Sequence, residues 1–242
     1  VIFKAHGDRL FSDPFKAAYS PSQPRWLLRL TEAHSAVLIN GHGHQYHDGH
    51  EGTNSSWASA SVIDFRTGPG WMTVTSDATE AYALVLPDVV LVTRTLVFLK
   101  PDVLLLLDRV RLKAEAPVQL RFQVFNDDGK GIAAADGATF RIDRPLAGLR
   151  ATLSSLGNVQ ASVGKLALPE SEGVFPYVEA VSAASTQHEV LTATTAGPAN
   201  GVHGALKITR ESGAWRVTGE HAGQKVNVTI HSAQGAPAIT IA

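Results

Sequence analysis

The 242-residue chain contains no cysteine. That excludes a disulfide framework, thiolate nucleophiles and Cys-ligated zinc, and leaves the cellular compartment open. An excess of either charge is also missing: 21 Lys+Arg stand against 22 Asp+Glu, a formal net charge of −1. The balance gives no support for nucleic acid or an anionic membrane as the main partner, although a local basic groove is compatible with it. No apolar stretch approaches the roughly 20 residues needed to cross a bilayer. The run Val103–Leu107 is bracketed by Asp102 and Asp108. Nor is a leader peptide visible, since Lys4, His6, Asp8 and Arg9 break up the start. The chain opens at once on the strand-like Val1-Ile2-Phe3, which suggests an origin within a longer protein. No segment shows a sustained helical period with caps, and no internal repeat stands out.

With 44% hydrophobic residues, the chain can bury a sizeable core without staples. Its dominant signal is short β-type runs punctuated by Gly, Pro, Asn and Asp. Val37–Ile39 closes on Asn40-Gly41. Residues 60–65, 71–75 and 81–86 follow, the last ending at Pro87. Val89–Leu99 and Val103–Leu112 flank Lys100-Pro101-Asp102 and read as a hairpin. Along 118–125, Leu120, Phe122 and Val124 alternate with Gln119, Arg121 and Gln123, and Asn126-Asp127-Asp128-Gly129 is a strong turn signal. Further runs at 139–142, 149–153, 177–183, 189–194, 205–209, 215–218 and 226–230 complete the pattern. The expected fold is all-β, a large antiparallel two-sheet β-sandwich. The expected division is a sandwich over residues 1–196, with 197–242 either completing it or forming a small subdomain after the linker-like residues 197–201.

Six of the ten histidines lie in the first fifty residues: His6, His34, His42, His44, His47 and His50. Imidazole serves as a metal ligand and as an acid or base near neutrality. The segment from Asn40 to Glu51 reads either as a metal loop or as a solvated glycine-rich turn. His42 and His44 have the spacing of alternate strand residues, but the spacing to Glu51 fits neither a His-x-His…Glu nor a His-Glu-x-x-His pattern. His34 reads as a polar cap at a strand entrance. Asp13, ahead of Pro14, reads as a turn former.

A family resemblance rests on four segments. Residues 1–14, VIFKAHGDRLFSDP, are followed by Tyr19-Ser20-Pro21, Trp26 and Arg29. Residues 31–43, TEAHSAVLINGHG, and 93–109, TRTLVFLKPDVLLLLDR, follow. Together they resemble the heparinase II/III-like polysaccharide lyases, which include alginate and oligoalginate lyases. The resemblance covers about residues 1–126. It implies a two-part enzyme in which an α/α toroid precedes this β-sandwich and the cleft lies between them. It further implies β-elimination at a uronic acid: the carboxylate is neutralised, the C5 proton removed and the leaving O4 protonated. The main acid and base are then expected on the toroid, outside this chain, with a further histidine from a His-x-His-x-Asp element just before Val1. The isolated chain is expected to be inactive.

Several members carry a structural zinc in the β-domain. Carried over by position, Asp13 and His34 are the ligands present here, an incomplete set. Tyr19, Arg29 and Trp26 are candidate substrate contacts, since an Arg fork matches a carboxylate and aromatic rings stack on sugars. Packing roles suit the same residues, with Trp57 beside Trp26 as the other exposed-platform candidate. Three positions depart from the family pattern: Phe15 replaces the usual Gly, Ser35 the usual Asn, and Gln45 is displaced by one residue. Arg94 and Asp108 read as a structural cross-strand pair, and Tyr82 as packing. The resemblance also implies a periplasmic or secreted protein, with a cytoplasmic one as the alternative. A separate possibility is a non-catalytic carbohydrate-binding module.

Overall fold

The computed structural model describes residues 1–45 and 57–242. His47, His50 and Glu51 therefore lie outside the described residues. The chain begins with a small hairpin, β1 (Phe3–Ala5) and β2 (Asp8–Phe11), then β3 (Val37–Ile39), β4 (Ser61–Gly68), β5 (Trp71–Asp77) and a short helix α1 (Thr79–Ala83). Next come β6 (Val89–Leu99), β7 (Val103–Gln123), β8 (Ile132–Asp136), β9 (Thr139–Asp143), β10 (Ala147–Ser155), β11 (Val159–Lys165) and β12 (Pro176–Pro198). The last four are β13 (Leu206–Glu211), β14 (Ala214–His221), β15 (Gln224–His231) and β16 (Ala238–Ile241).

The main sheet follows the order β4-β5-β6-β7-β12-β10-β9-β8, with β3 added to β7 and β11 to β12. Strands β13 to β16 form a second, four-stranded meander. Every pairing described is antiparallel.

β7 and β12 organise the molecule. The first half of β7 lies between β6 and the second half of β12; its second half lies between β3 and the first half of β12. Along the first half, Leu104, Leu106, Val110 and Leu112 face the larger core with Phe11, Phe140 and Leu149. Val103, Leu105 and Leu107 face a second core against Trp215, Val217, Val226, Val228 and Ile230 of the meander. Burial on both faces is why the sequence there is a continuous apolar run rather than an alternation. In the second half the alternation returns, because the outer face is polar. Gln119, Arg121 and Gln123 carry the loops that form the site.

Four sequence expectations need correction. Residues 81–86 do not form a strand: Asp77 Oδ1 accepts the Thr79 N–H at 2.8 Å and starts α1, and Ala and Leu are good helix formers. Residues 103–112 and 118–123 belong to one strand, which stops two residues short of the expected 125, and 177–183 and 189–194 likewise share one strand. Both joins cross an irregularity, where the β7–β12 register shifts around Ser185. Pro117, which has no N–H to give, falls there at little cost. His42 and His44 do not alternate along a strand, because Asn40 and Gly41 both have positive φ and form a two-residue turn between Ile39 and His42. Residues 197 and 198 are still in β12, and the crossing to β13 comes after them.

Candidate functional site

The site is built on the polar face of β7. Gln123 donates its N–H to Ser35 Oγ (3.0 Å) and its side-chain amide to the Glu32 carbonyl (2.9 Å). Arg121 donates to Glu179 (2.8 Å) and to the Glu32 carbonyl (3.2 Å), with its guanidinium 3.9 Å from the Tyr177 ring centroid. Gln119 Oε1 accepts the Gly41 N–H at 3.0 Å. Two short 3-10 segments, Pro24–Arg29 and Thr31–Ala33, are thereby fastened to the sheet. Arg25 adds a further tie, pairing with Glu172 at 2.9 Å.

On this platform His34 Nδ1 lies 3.0 Å from Asp13 Oδ2. Asp13 Oδ1 accepts the Ser35 N–H at 2.9 Å. Burial pushes the Asp13 pKa up, but the His34 and Ser35 hydrogen bonds help to outweigh it, and the net shift is downward. The carboxylate thus stays charged and orients the imidazole through Nδ1, leaving Nε2 for another partner.

A buried support lies beneath. Arg94 donates Nε to Asp108 (2.7 Å) and Nη1 to the Ser35 carbonyl (2.5 Å). Burial works against the Arg94 charge; the Asp108 carboxylate more than offsets this and raises its pKa. Tyr82 is buried and donates its hydroxyl to the Val37 carbonyl at 2.6 Å. Burial raises its pKa far above the ordinary phenol value. Arg94, Asp108 and Tyr82 are structural, as expected, but they also set the backbone of Ser35 and so the Asp13–His34 geometry. The sequence signal for this was the register of the hairpin, in which Arg94 faces Asp108.

The other histidines disperse. His6 pairs with Asp102 at 2.9 Å. His42 is exposed. His44 is half-buried, with Nδ1 3.0 Å from Thr31 Oγ1 and its ring 5.7 Å from Tyr82. Burial first, and then the nearby His34, lower its pKa. Gln45 is buried and accepts the Thr31 N–H at 3.1 Å. A Cβ at Gly43 would come within 2.2 Å of Thr31, so this close approach needs glycine.

Tyr19, Trp26 and Arg29 do come together. The Arg29 guanidinium lies 5.0 Å from the Trp26 ring and 5.2 Å from the Tyr19 ring, and Nε donates to the Ala18 carbonyl at 2.5 Å. Tyr19 is 93% exposed, so packing does not account for it. Arg29 ends a 3-10 segment rather than sitting on a strand face. Among the described residues, no hydrogen bond or ring contact joins this cluster to Asp13 or His34.

Asp13 and His34 suit two corners of a tetrahedral zinc in donor type and separation. Among the described residues there is no group of three or more His, Asp or Glu able to hold a metal. The pair alone is short of a zinc site.

Comparison with known proteins places this geometry in context. No curated protein sequence matches the chain. Among solved structures, a heparinase III described as the BT4657 gene product superposes with a TM-score of 0.65 at 12% identity, covering 93% of this chain and 35% of that one. The heparan sulfate lyase HepC from Pedobacter heparinus gives 0.66 at 13% identity, covering 94% and 36%. At such identities the likeness is one of fold, and the chain spans about a third of the length of these structures. The family model described as Heparinase II/III-like, C-terminal matches residues 1–240. The chain belongs to the heparinase II/III-like C-terminal family.

Proposed function

We propose that this chain is the β-sandwich part of a lyase that cleaves a uronic-acid-containing polysaccharide, of alginate or heparin/heparan type, by β-elimination. The observation that carries the reading is the Asp13–His34 pair. It is held by Ser35 and the Arg94–Asp108 support at positions matching the family's Asp-Pro and His motifs. The main acid and base belong to an α/α toroid outside these 242 residues. The name of HepC, a heparan sulfate lyase, supports an acidic glycan as substrate. A periplasmic or secreted protein suits a polymer of that kind.

In this reading the chain supplies one wall of the cleft. Asp13 fixes the orientation of His34 and keeps Nε2 available. With zinc bound, Asp13 Oδ2 and His34 Nδ1 would instead both face the ion, which further ligands from outside the described residues would complete and which would take over from their hydrogen bond in locking the two loops together. Tyr19, Trp26 and Arg29 form an exposed face suited to a uronate, rings for the sugar and a guanidinium for its carboxylate.

The test is ultraviolet absorbance of the unsaturated product, using the full-length protein on alginate, heparin and heparan sulfate. Product from the full-length protein and none from this chain alone is the expected result. Absence of product on every uronate polymer would overturn it. A non-catalytic carbohydrate-binding module is the competing reading, favoured by the exposed Tyr19. It predicts tight sugar binding by this chain alone, abolished in Trp26→Ala. Metal analysis of His34→Ala, compared with His44→Ala, tests the ligand assignment: only the first should lose zinc.

A further inference from the structure

On the opposite side of β7 from Asp108, charge is left unbalanced. Arg109 and Arg111 share one face of the strand. Across the ladder Glu189 pairs with Arg109 and Gln187 with Arg111. With Leu91, Leu156 and the β15–β16 connection at Ser232–Gln234, they line a cavity of about 400 Å³. Arg109 is 3% exposed, and its two terminal nitrogens donate to the Ala233 and Gly235 carbonyls, which fixes that wall.

Among the described residues, the only carboxylate lining the cavity is already engaged. Glu189 Oε2 accepts Trp215 Nε1 at 2.9 Å and lies 3.6 Å from Arg210. Among the described residues, no carboxylate lies within ion-pair distance of Arg109 or Arg111, and the Arg111 side chain makes no hydrogen bond. Arg109 Nε, Arg111 Nε and Ser232 Oγ are all buried without partners. His188 adds no charge to the balance, since Ser182 Oγ (3.0 Å) and the Ser185 carbonyl (2.9 Å) occupy its ring nitrogens and burial lowers its pKa. Burial lowers the Arg109 pKa, and Arg111 adds to that; Glu189 and Asp77 offset it only in part. A buried Arg109 beside a half-buried Arg111, with their counter-charge only partial, is costly, and a planar fork of N–H donors matches an oxyanion.

We propose that this cavity is an oxyanion site, built on Arg109 and Arg111, that takes a sulfate or carboxylate group. It is separate from the Asp13–His34 site and shares no lining residue with it.

The experiment is isothermal titration of the chain with sodium sulfate, at an ionic strength held constant with chloride. Saturable one-to-one binding is expected. Arg111→Gln should weaken it at least about tenfold, and Glu189→Gln, which removes the lone carboxylate and keeps an acceptor for Trp215, should tighten it. Glucuronate and a sulfated disaccharide distinguish the source of the group. Competition with sulfate identifies a saccharide, and sulfate binding without competition identifies the inorganic ion; either supports the site. No saturable binding of sulfate, glucuronate or the disaccharide would overturn it, and so would undiminished binding by a folded Arg111→Gln. If Arg111→Gln does not fold, Glu189→Gln decides: an affinity that does not rise overturns the proposal.

Discussion

Asp108 and Arg109 are adjacent on β7 and face opposite ways, and the two sides they serve are built differently. On the Asp108 side each charge meets an opposite one or a dipole: Asp108 with Arg94, Arg94 with the Ser35 carbonyl, the Ser35 N–H with Asp13, and Asp13 with His34. On the Arg109 side, among the described residues, Glu189 is the one carboxylate lining the cavity with Arg109 and Arg111, and its ion pair is with a third arginine, Arg210. Arg94 Nη2 and Asp108 Oδ2 are left without partners, but a chain in which every charge is paired confers rigidity and punishes removal of any member. An open one costs stability and leaves capacity for a ligand. Substitutions on the first side should therefore appear as stability, and those on the second as binding.

The largest effect should come from Asp108→Ala. It leaves the largely buried Arg94 without its counter-charge, and urea denaturation should show a loss of about 3 kcal/mol. The double change Arg94→Met with Asp108→Leu should recover most of that, because the desolvation cost disappears with both charges. Gly43→Ala should come next. Its Cβ overlaps Thr31, and about 1–3 kcal/mol is expected in the same assay, with His44 and Gln45 displaced.

A smaller effect is expected from pH. Burial lowers the His188 pKa from its ordinary 6.5. The folded state therefore favours neutral imidazole, while the unfolded chain takes up a proton below about pH 6.5. Stability supplied by this group is present above that pH and falls as pH drops through it. His44 and His203 shift the same way. In a denaturation series from pH 7 to 5, His188→Gln should thus remove part of the acid-side slope, not all of it. Arg111→Gln should be the mildest, within about 0.5 kcal/mol of the parent or slightly more stable. A large loss would mean that Arg111 has a structural partner after all, and would erase the contrast between the two sides.

Much of the sheet was legible because half-buried strands alternate. Val89–Leu99 has the bounds its sequence suggests, and the polar face Gln119, Arg121 and Gln123 turned out to be the platform for the site. What failed did so for local reasons. Tyr82 and its neighbours form an apolar run of strand length ending at Pro87, yet the Asp77 carboxylate and the Val37 carbonyl settle them as a helix. The polar stretch before Pro117 hides the continuity of β7, because a strand crossing an irregularity need not stay apolar. Asp13 and His34 were found through resemblance; composition alone offered six histidines of equal standing. Arg109 and Arg111 passed unnoticed, although two arginines directly after a doubly buried run were a signal that the second face continues inward.

The β7–β12 ladder also constrains how the molecule assembles. Val103 pairs with Thr195, and Gln123 with Tyr177, so the central strand stays without its main neighbour until the chain has been made almost to its four-stranded meander. Contacts that distant in sequence form slowly. During synthesis the first hundred residues, with Asp13 and His34 among them, have only hairpins to hold them. The unpaired side of β7 is then an open edge, exposed to mispairing until β12 is made.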